Sequence, residues 1–275
     1  MQSAKDVIKD FAGSKGIEFV KKEKCTVCDY DHAMVITIRV NGELKSQCRY
    51  CEDRKLARKL NLPTAGEYKH QKELGFILKF ERITNDLQDA TVNSYKTDEK
   101  YPSQEKARQA AIDYITEYDG TQSLVLAGVP GIGKSHLSYA IHKAIRKKGY
   151  KTLFIKSTDL LDAIKETYNY HSNISQDQIF KMIDGLDLLV LDDLGGEYEK
   201  KDPNNQENET WASDVLYKVV DMRLGKSLIT TTNYSEGQMI DKYGQVQGSR
   251  IVSRMLENAT SIRVEGADLR RKERF

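Results

Sequence analysis

No stretch of this 275-residue chain approaches 18 uninterrupted apolar residues, so no membrane-spanning helix is expected. The opening MQSAKDVIKDFAGSKGIEF mixes charges into every turn and lacks an apolar centre, so no secretory signal is expected either. An excess of one charge sign is missing too: 43 Lys and Arg face 41 Asp and Glu, a formal net charge of +2. Such a balance neither demands nor excludes nucleic acid, and local patches must decide. There is no internal repeat and no extended low-complexity tract. Cysteine is absent after Cys51, and the four present stand at 25, 28, 48 and 51. The expected compartment is the cytoplasm, where thiols stay reduced.

What is present is a charge-rich globular composition, 39% apolar and 31% charged, long enough for one full domain and a smaller module. Three zones emerge. Residues 1–65 hold every cysteine, 66–118 read as a helical, strongly charged connector, and 119–275 alternate short apolar strands with amphipathic helices. The strand candidates are 123–128, 151–157, 186–193, 226–233 and 260–266, several of them continuous apolar runs, as in a parallel sheet buried on both faces. Helical patterns cover 134–148, 158–170, 175–184, 209–224 and 248–257, and the polar stretch 199–210 reads as an exposed loop.

The stretch AGVPGIGKSHLSYAI, residues 127–141, contains Gly128-Val129-Pro130-Gly131-Ile132-Gly133-Lys134-Ser135, followed by His136 at the start of a helical pattern. It matches G-x-x-x-x-G-K-[ST] at every fixed position, between a strand and a helix. Glycine lets backbone N–H groups reach phosphate oxygens with no Cβ in the way, and the helix N-terminus adds partial positive charge. Lys134 is the candidate for neutralising the β- and γ-phosphates, and the Ser135 hydroxyl for ligating Mg²⁺. A second strand, LLVLDD, presents Asp192 at its carboxyl end as the metal carboxylate, with Asp193 next to it to polarise a water. Asp193 is one methylene shorter than a Glu, and strand-end aspartates also serve as caps or turn formers. The strand SLITTTN ends in Asn233, whose amide can hold a lytic water, although Asn after a strand is commonly a turn residue. Arg250 and Arg254 lie four apart on one helical face. Arginine stabilises γ-phosphate charge when a neighbouring subunit supplies it, and Arg254 is the expected finger in trans. Arg270 is a further candidate for a phosphate contact, while the basic tail 270–274 reads equally as an unstructured or nucleic-acid-binding segment.

Cys25-x2-Cys28 and Cys48-x2-Cys51 fall within the spacing of a four-thiolate zinc site, with a β-hairpin turning at Asn41-Gly42 between them. Disulfides or free thiols are the alternatives. His32 could compete as a ligand but reads as a surface residue. Lys21, Lys22, Lys24, Arg49, Arg54, Lys55, Arg58 and Lys59 surround the knuckles and alternate with acids, so a protein-docking or solvated face competes with nucleic-acid binding.

Four pieces, LVLAGVPGIGKSHLSYAIHKAIRKKGYKTLFIKSTDLLDAIKETY, LDLLVLDDLG, ITTTNYS and RIVSRMLENATSIRVEGADLR, give residues from roughly 90 to 275 a resemblance to the DnaC/DnaI-type helicase loaders, a branch of the AAA+ ATPases close to the IstB-type transposition ATPases. The resemblance implies an α/β P-loop NTPase with a five-stranded parallel sheet, little or no C-terminal lid, and a small zinc-binding domain in front of it. It implies that Gly128, Gly133, Lys134 and Ser135 form the Walker A loop, Asp192 and Asp193 the Walker B pair, Asn233 the sensor and Arg254 the arginine finger. It implies ATP and ADP, Mg²⁺ and Zn²⁺ as cofactors, slow hydrolysis as an assembly switch, and self-association through the ATPase domain. Its implied partners are a hexameric replicative DNA helicase, gripped by the zinc domain, and single-stranded DNA; no membrane is involved. The insertion 158–184 would approach DNA, with Lys165, Tyr168 and Tyr170 as candidate contacts and Tyr198 as another. Two other readings are an IstB-like transposition ATPase and a nucleotide-binding helicase adaptor that barely hydrolyses.

Overall fold

A computed structural model describes residues 17–28, 31–60, 65–197 and 210–268. Two units divide at residues 72 and 73. The first unit is built on a three-stranded antiparallel sheet, β1 (Ile17–Lys24), β2 (Met34–Val40) and β3 (Glu43–Cys48), in the order β1-β2-β3. Helix α1 (Arg49–Lys59) follows directly. The hairpin between β2 and β3 turns on Asn41 (φ 51°) and Gly42 (φ 86°), the pair of left-handed residues that a two-residue turn matched to strand twist requires. Its buried cluster is small: Cys25, Cys28, Ala33 and Cys48, with Val35 and Cys51 packed against them. A core of that size cannot offset the chain entropy of its residues, so what the four sulfurs hold matters to this unit's stability.

Helix α2 (Ala65–Leu78) contains the division between the units. The second unit is a five-stranded parallel sheet of β4 (Ser123–Gly128), β5 (Thr152–Lys156), β6 (Leu188–Leu194), β7 (Ser227–Thr232) and β8 (Ala259–Val264), in the spatial order β5-β6-β7-β4-β8. The unbroken apolar runs have a direct cause. Leu188 and Val190 pack into one cluster and Leu189 and Leu191 into another, so alternate residues of β6 enter opposite cores. One cluster receives α4 (Pro102–Thr116) and α5 (Lys134–Lys147). The other receives α6 (Ser157–Glu166), α7 (Gln176–Asp184), α8 (Trp211–Met222), α9 (Glu236–Tyr243) and α10 (Gln245–Leu256). The five expected strands match to within two residues at each end.

Three expectations change. The segment 66–118 is not a separate connector: from Glu73 it belongs to the second unit. Ala107 and Ala111 of α4 are fully buried, and the Tyr95 hydroxyl donates to the Ile132 carbonyl. The expected helix 158–170 stops at Glu166, because Tyr168 and Tyr170 have no buried face to extend it. Helix α9 was not anticipated; Ser235 starts it with a reciprocal cap on Gln238. Arg58 lies in α1, but Tyr198, Arg270 and most of the loop 199–210 lie outside the described residues.

Candidate functional site

Strand β4 ends at Gly128 and α5 begins at Lys134, so residues 128–133 form a loop over the carboxyl edge of the sheet. Two of its glycines are required by what lies behind them. At Gly128 (φ 147°) a Cβ would meet the Val264 carbonyl oxygen at 2.1 Å, and at Gly133 (φ 86°) it would strike the Tyr95 ring at 2.6 Å. The loop is thus clamped from the rear by β8 and by Tyr95, leaving its other side open. Gly133 supplies no side-chain cap to α5, so the helix offers its first N–H groups to a ligand.

The open side is a cavity of about 450 Å³, lined by loop residues from Pro130 to His136 and by the strand ends Asp192, Asp193, Thr231 and Asn233. That volume lies within the range of small-molecule sites. Lys134 is 7% exposed, and its Nζ donates to the Gly128 carbonyl at 2.8 Å, the Val129 carbonyl at 2.9 Å and Asn233 Oδ1 at 2.8 Å. Asn233 Nδ2 in turn donates to Asp193 Oδ1 at 2.8 Å. Lysine, amide and carboxylate therefore form one chain across the cavity. Ile132 points its side chain into the core, and the His136 ring is held by Thr91 O and Ser94 Oγ, at 2.9 and 3.0 Å from Nε2.

Strand β6 loses register with β7 between Leu191 and Leu194, and Asp193 sits at φ 54°. This irregularity re-aims two adjacent carboxylates. Thr231 holds both: its Oγ1 donates to Asp192 Oδ1 at 2.6 Å and accepts from the Asp193 N–H at 2.9 Å. Asp192 is 1% exposed, and burial raises its carboxyl above the ordinary range while the Thr231 and Ser135 hydroxyls pull it back. Ser135 and Asp192, the expected metal pair, thus line the same cavity. An oxygen set of this kind suits a hard divalent cation.

Five lining residues carried no sequence signal: Thr84, Asp86, Leu87, Lys156 and Thr231. The first three come from the short helix α3 (Asn85–Gln88) and its cap, far upstream of the loop. Arg254 does not line the cavity. Its Nε donates to Asp221 Oδ1 at 2.9 Å, and its Nη1 lies 3.4 Å from Glu257 Oε2. The Arg250 guanidinium rests over the Tyr217 ring at 5.7 Å.

Near the end of α6, Tyr170 is 97% exposed and Tyr168 is largely exposed. The Trp211 indole N–H donates to the Tyr168 hydroxyl at 3.1 Å, and Lys165 Nζ lies 5.0 Å over the Trp211 ring. The sequence reading missed Trp211 as part of this ledge.

In the first unit the sulfurs of Cys25, Cys28, Cys48 and Cys51 all lie within 4.8 Å of one another. The Cys25–Cys51 and Cys28–Cys48 separations are 3.7 and 3.8 Å, too long for disulfides. A tetrahedral Zn–S bond of about 2.3 Å predicts an S···S edge of about 3.8 Å, so this donor set fits zinc. The Val27 and Cys28 N–H groups draw the Cys25 thiol down to about 6, while burial and the neighbouring sulfurs push Cys51 up to about 12. Four thiolates this close need a cation to ionise together. His32 is not in the cluster. No helix among the described residues is long and apolar enough to cross a membrane.

Residues 66–275 match the family model of the IstB-like ATP binding protein. The replicative helicase loader DnaC of Escherichia coli strain K12 is 30% identical over 151 residues, covering 54% of this chain and 55% of that protein. The chain thus spans about half the length of the curated relatives it matches. Among solved structures, the DnaC helicase loader aligns with a TM-score of 0.55 at 25% identity, over 66% of this chain and all of that one. DnaI aligns with a TM-score of 0.54 at 22% identity, over 68% of this chain and 94% of that one.

Proposed function

The chain belongs to the IstB-like ATP binding protein family, and from that premise we propose that it is an ATP-dependent loader of a hexameric replicative helicase onto single-stranded DNA. The observation that carries the reading is a phosphate cavity complete on one side only. Lys134, Asn233, Asp193, Ser135 and Asp192 converge there, yet among the described residues no arginine lines it. Arg254 stands elsewhere on the same unit, at the surface, and would complete a neighbour's cavity. ATP bound between copies then becomes the glue of an assembly, and its hydrolysis the release.

In hydrolysis, water adds to the γ-phosphorus, its proton passes to Asp193, and ADP leaves with the electron pair of the broken P–O bond. Asn233 orients that water, and Lys134 neutralises the β- and γ-oxygens. Ser135 and Asp192 would hold Mg²⁺, which supplies further charge neutralisation when bound. The four cysteines would hold Zn²⁺ and stabilise the first unit, the proposed docking element for the helicase. The Lys165–Tyr168–Trp211 ledge and Tyr170 are the proposed contact with single-stranded DNA, through stacking and phosphate pairing. Such an assembly works in a reducing cytoplasm.

The loader reading draws on relatives named as helicase loaders and on the four-thiol unit. The family model's own name favours a second reading, a DNA-remodelling partner in transposition. Native mass measurement of the chain mixed with hexameric replicative helicases, with and without ATP, separates them. A helicase complex supports loading; its absence, with ATP-dependent filaments on duplex DNA, supports the second reading.

A further inference from the structure

The cavity holds a second lysine to which the proposed chemistry assigns no role. Lys156 is the last residue of β5 and pairs in register with Asp192 on the neighbouring strand β6. It lines the same cavity as Lys134, Asp192 and Asp193, is half-buried, and its charge acts on the Asp192 carboxyl. The two lysines differ in their engagement. Lys134 commits its three N–H donors to two carbonyls and Asn233. The Lys156 ammonium makes no hydrogen bond or ion pair among the described residues, so its donors are available to a ligand.

Lys156 lines the cavity beside a carboxylate pair without a hydrogen bond to it among the described residues. Its long stem instead keeps the charge at the wall where Asp192 and Asp193 mark the terminal phosphate. The need for a cation there follows from the site's own charges. Two adjacent carboxylates face an incoming polyanion, and the phosphate loop and Lys134 approach that anion from one side only.

We infer that Lys156 is a further catalytic residue of the ATPase site, one that pairs with the γ-phosphate oxygens from the wall opposite the loop and stabilises the charge they carry in the transition state. The inference rests on the proposed ATP hydrolysis. Lys156 moves no proton: the water oxygen still bonds to phosphorus, Asp193 still receives the proton, and ADP still takes the electron pair. What Lys156 adds is a charge supplied by the same chain, so turnover does not depend wholly on a neighbour's Arg254.

The test compares Lys156→Met, Lys156→Arg and Lys134→Ala in the full chain. Lys156→Met is expected to lower kcat about tenfold, less than for a fully buried donor because the group is half-exposed. Its affinity for ATP is expected to change by less than about threefold, and its affinity for ADP with aluminium fluoride to fall by the same factor as kcat. Lys156→Arg is expected to restore most of the loss. Lys134→Ala tests the site itself: if it leaves ATP binding and turnover intact, the nucleotide-site reading falls. If Lys134→Ala is inactive while Lys156→Met, folded by its thermal midpoint, keeps wild-type kcat and wild-type affinity for the fluoride complex, only the role of Lys156 is overturned. Equal losses for ATP and the fluoride complex would also overturn it, because they describe uniform binding.

Discussion

Thr231 is the residue on which the acidic wall turns, and Thr231→Val is its cleanest perturbation. Valine keeps the shape, so no cavity opens, and the fully buried position excludes a replacement water. Two bonds disappear. The one to Asp192 ends on a carboxylate and contributes about 1.5–3 kcal/mol; the Asp193 N–H, left without an acceptor, costs about 1–3 kcal/mol. Both act through one neighbourhood and do not simply add, so the expected loss of unfolding free energy is about 2–4 kcal/mol. The loss carries a pH signature. Burial already raises the Asp192 carboxyl, and Thr231 opposes that rise. A carboxyl raised on folding holds its proton more tightly in the native state, so native stability falls as pH climbs from the ordinary carboxylate range through the raised value, and the full penalty holds above it. Removing Thr231 enlarges that penalty. The deficit of the variant should therefore be complete near neutral pH and shrink as acid protonates Asp192. Urea unfolding of both proteins at a series of pH values, from neutral down through the carboxylate range, reads this directly. A deficit below about 0.5 kcal/mol at neutral pH, or one that does not shrink anywhere in the series, would refute the assignment of Thr231 as the support of both aspartates.

Other outcomes follow from the same geometry. Cys48→Ser should lower bound zinc from one ion per chain to a weakly held fraction by elemental analysis, and remove the first unit's unfolding transition while sparing that of the second. Gly133→Ala should destabilise the second unit by several kcal/mol in thermal unfolding, because its methyl group would strike the Tyr95 ring at a left-handed backbone position. Arg254→Ala should weaken ATP-dependent assembly several-fold and cut turnover by about 10³-fold, and mixing it with Lys134→Ala should recover activity at the interfaces where an intact loop meets an intact arginine. Trp211 is the only tryptophan, so its fluorescence should change when oligothymidylate is added, and Tyr168→Ala should weaken that response several-fold.

The strands and the phosphate loop could be read from the sequence because their signals are local. An apolar run of six residues or a glycine-spaced turn needs no partner to be recognised. What escaped depends on strand order. Spatial order β5-β6-β7-β4-β8 brings Lys156, Asp192 and Thr231 side by side although 36 and 39 positions separate them. No spacing in one sequence reports that register. Tyr95, Thr84 and Leu87 escaped for a related reason: their segment is too charged to stand out, and its residues gain meaning only once folded against the loop, Tyr95 behind it and Thr84 and Leu87 along the cavity. The four-cysteine module was legible in its cysteines and its Asn41-Gly42 hairpin, whereas β1, largely exposed along its length, has no buried face to announce it.

Arg254 shows how the proposed assembly could be switched at low cost. A guanidinium waiting for a neighbour's phosphate must be held somewhere, and here Asp221 of α8 and Glu257 just beyond α10 hold it. The holding must be weak, or a neighbour's nucleotide could not take it over. With both side chains more than a third exposed, such a pair is largely solvated and contributes little, and salt screens it further. A triphosphate bound in a desolvated interface offers the same guanidinium a more highly charged, bidentate partner. The exchange from Asp221 to phosphate is therefore downhill when ATP is present. Under the proposed hydrolysis, loss of the terminal phosphate would return the arginine to Asp221 without any rearrangement of the sheet. In the proposed assembly it is the weakness of the ion pair, rather than its strength, that would make the interface responsive to nucleotide.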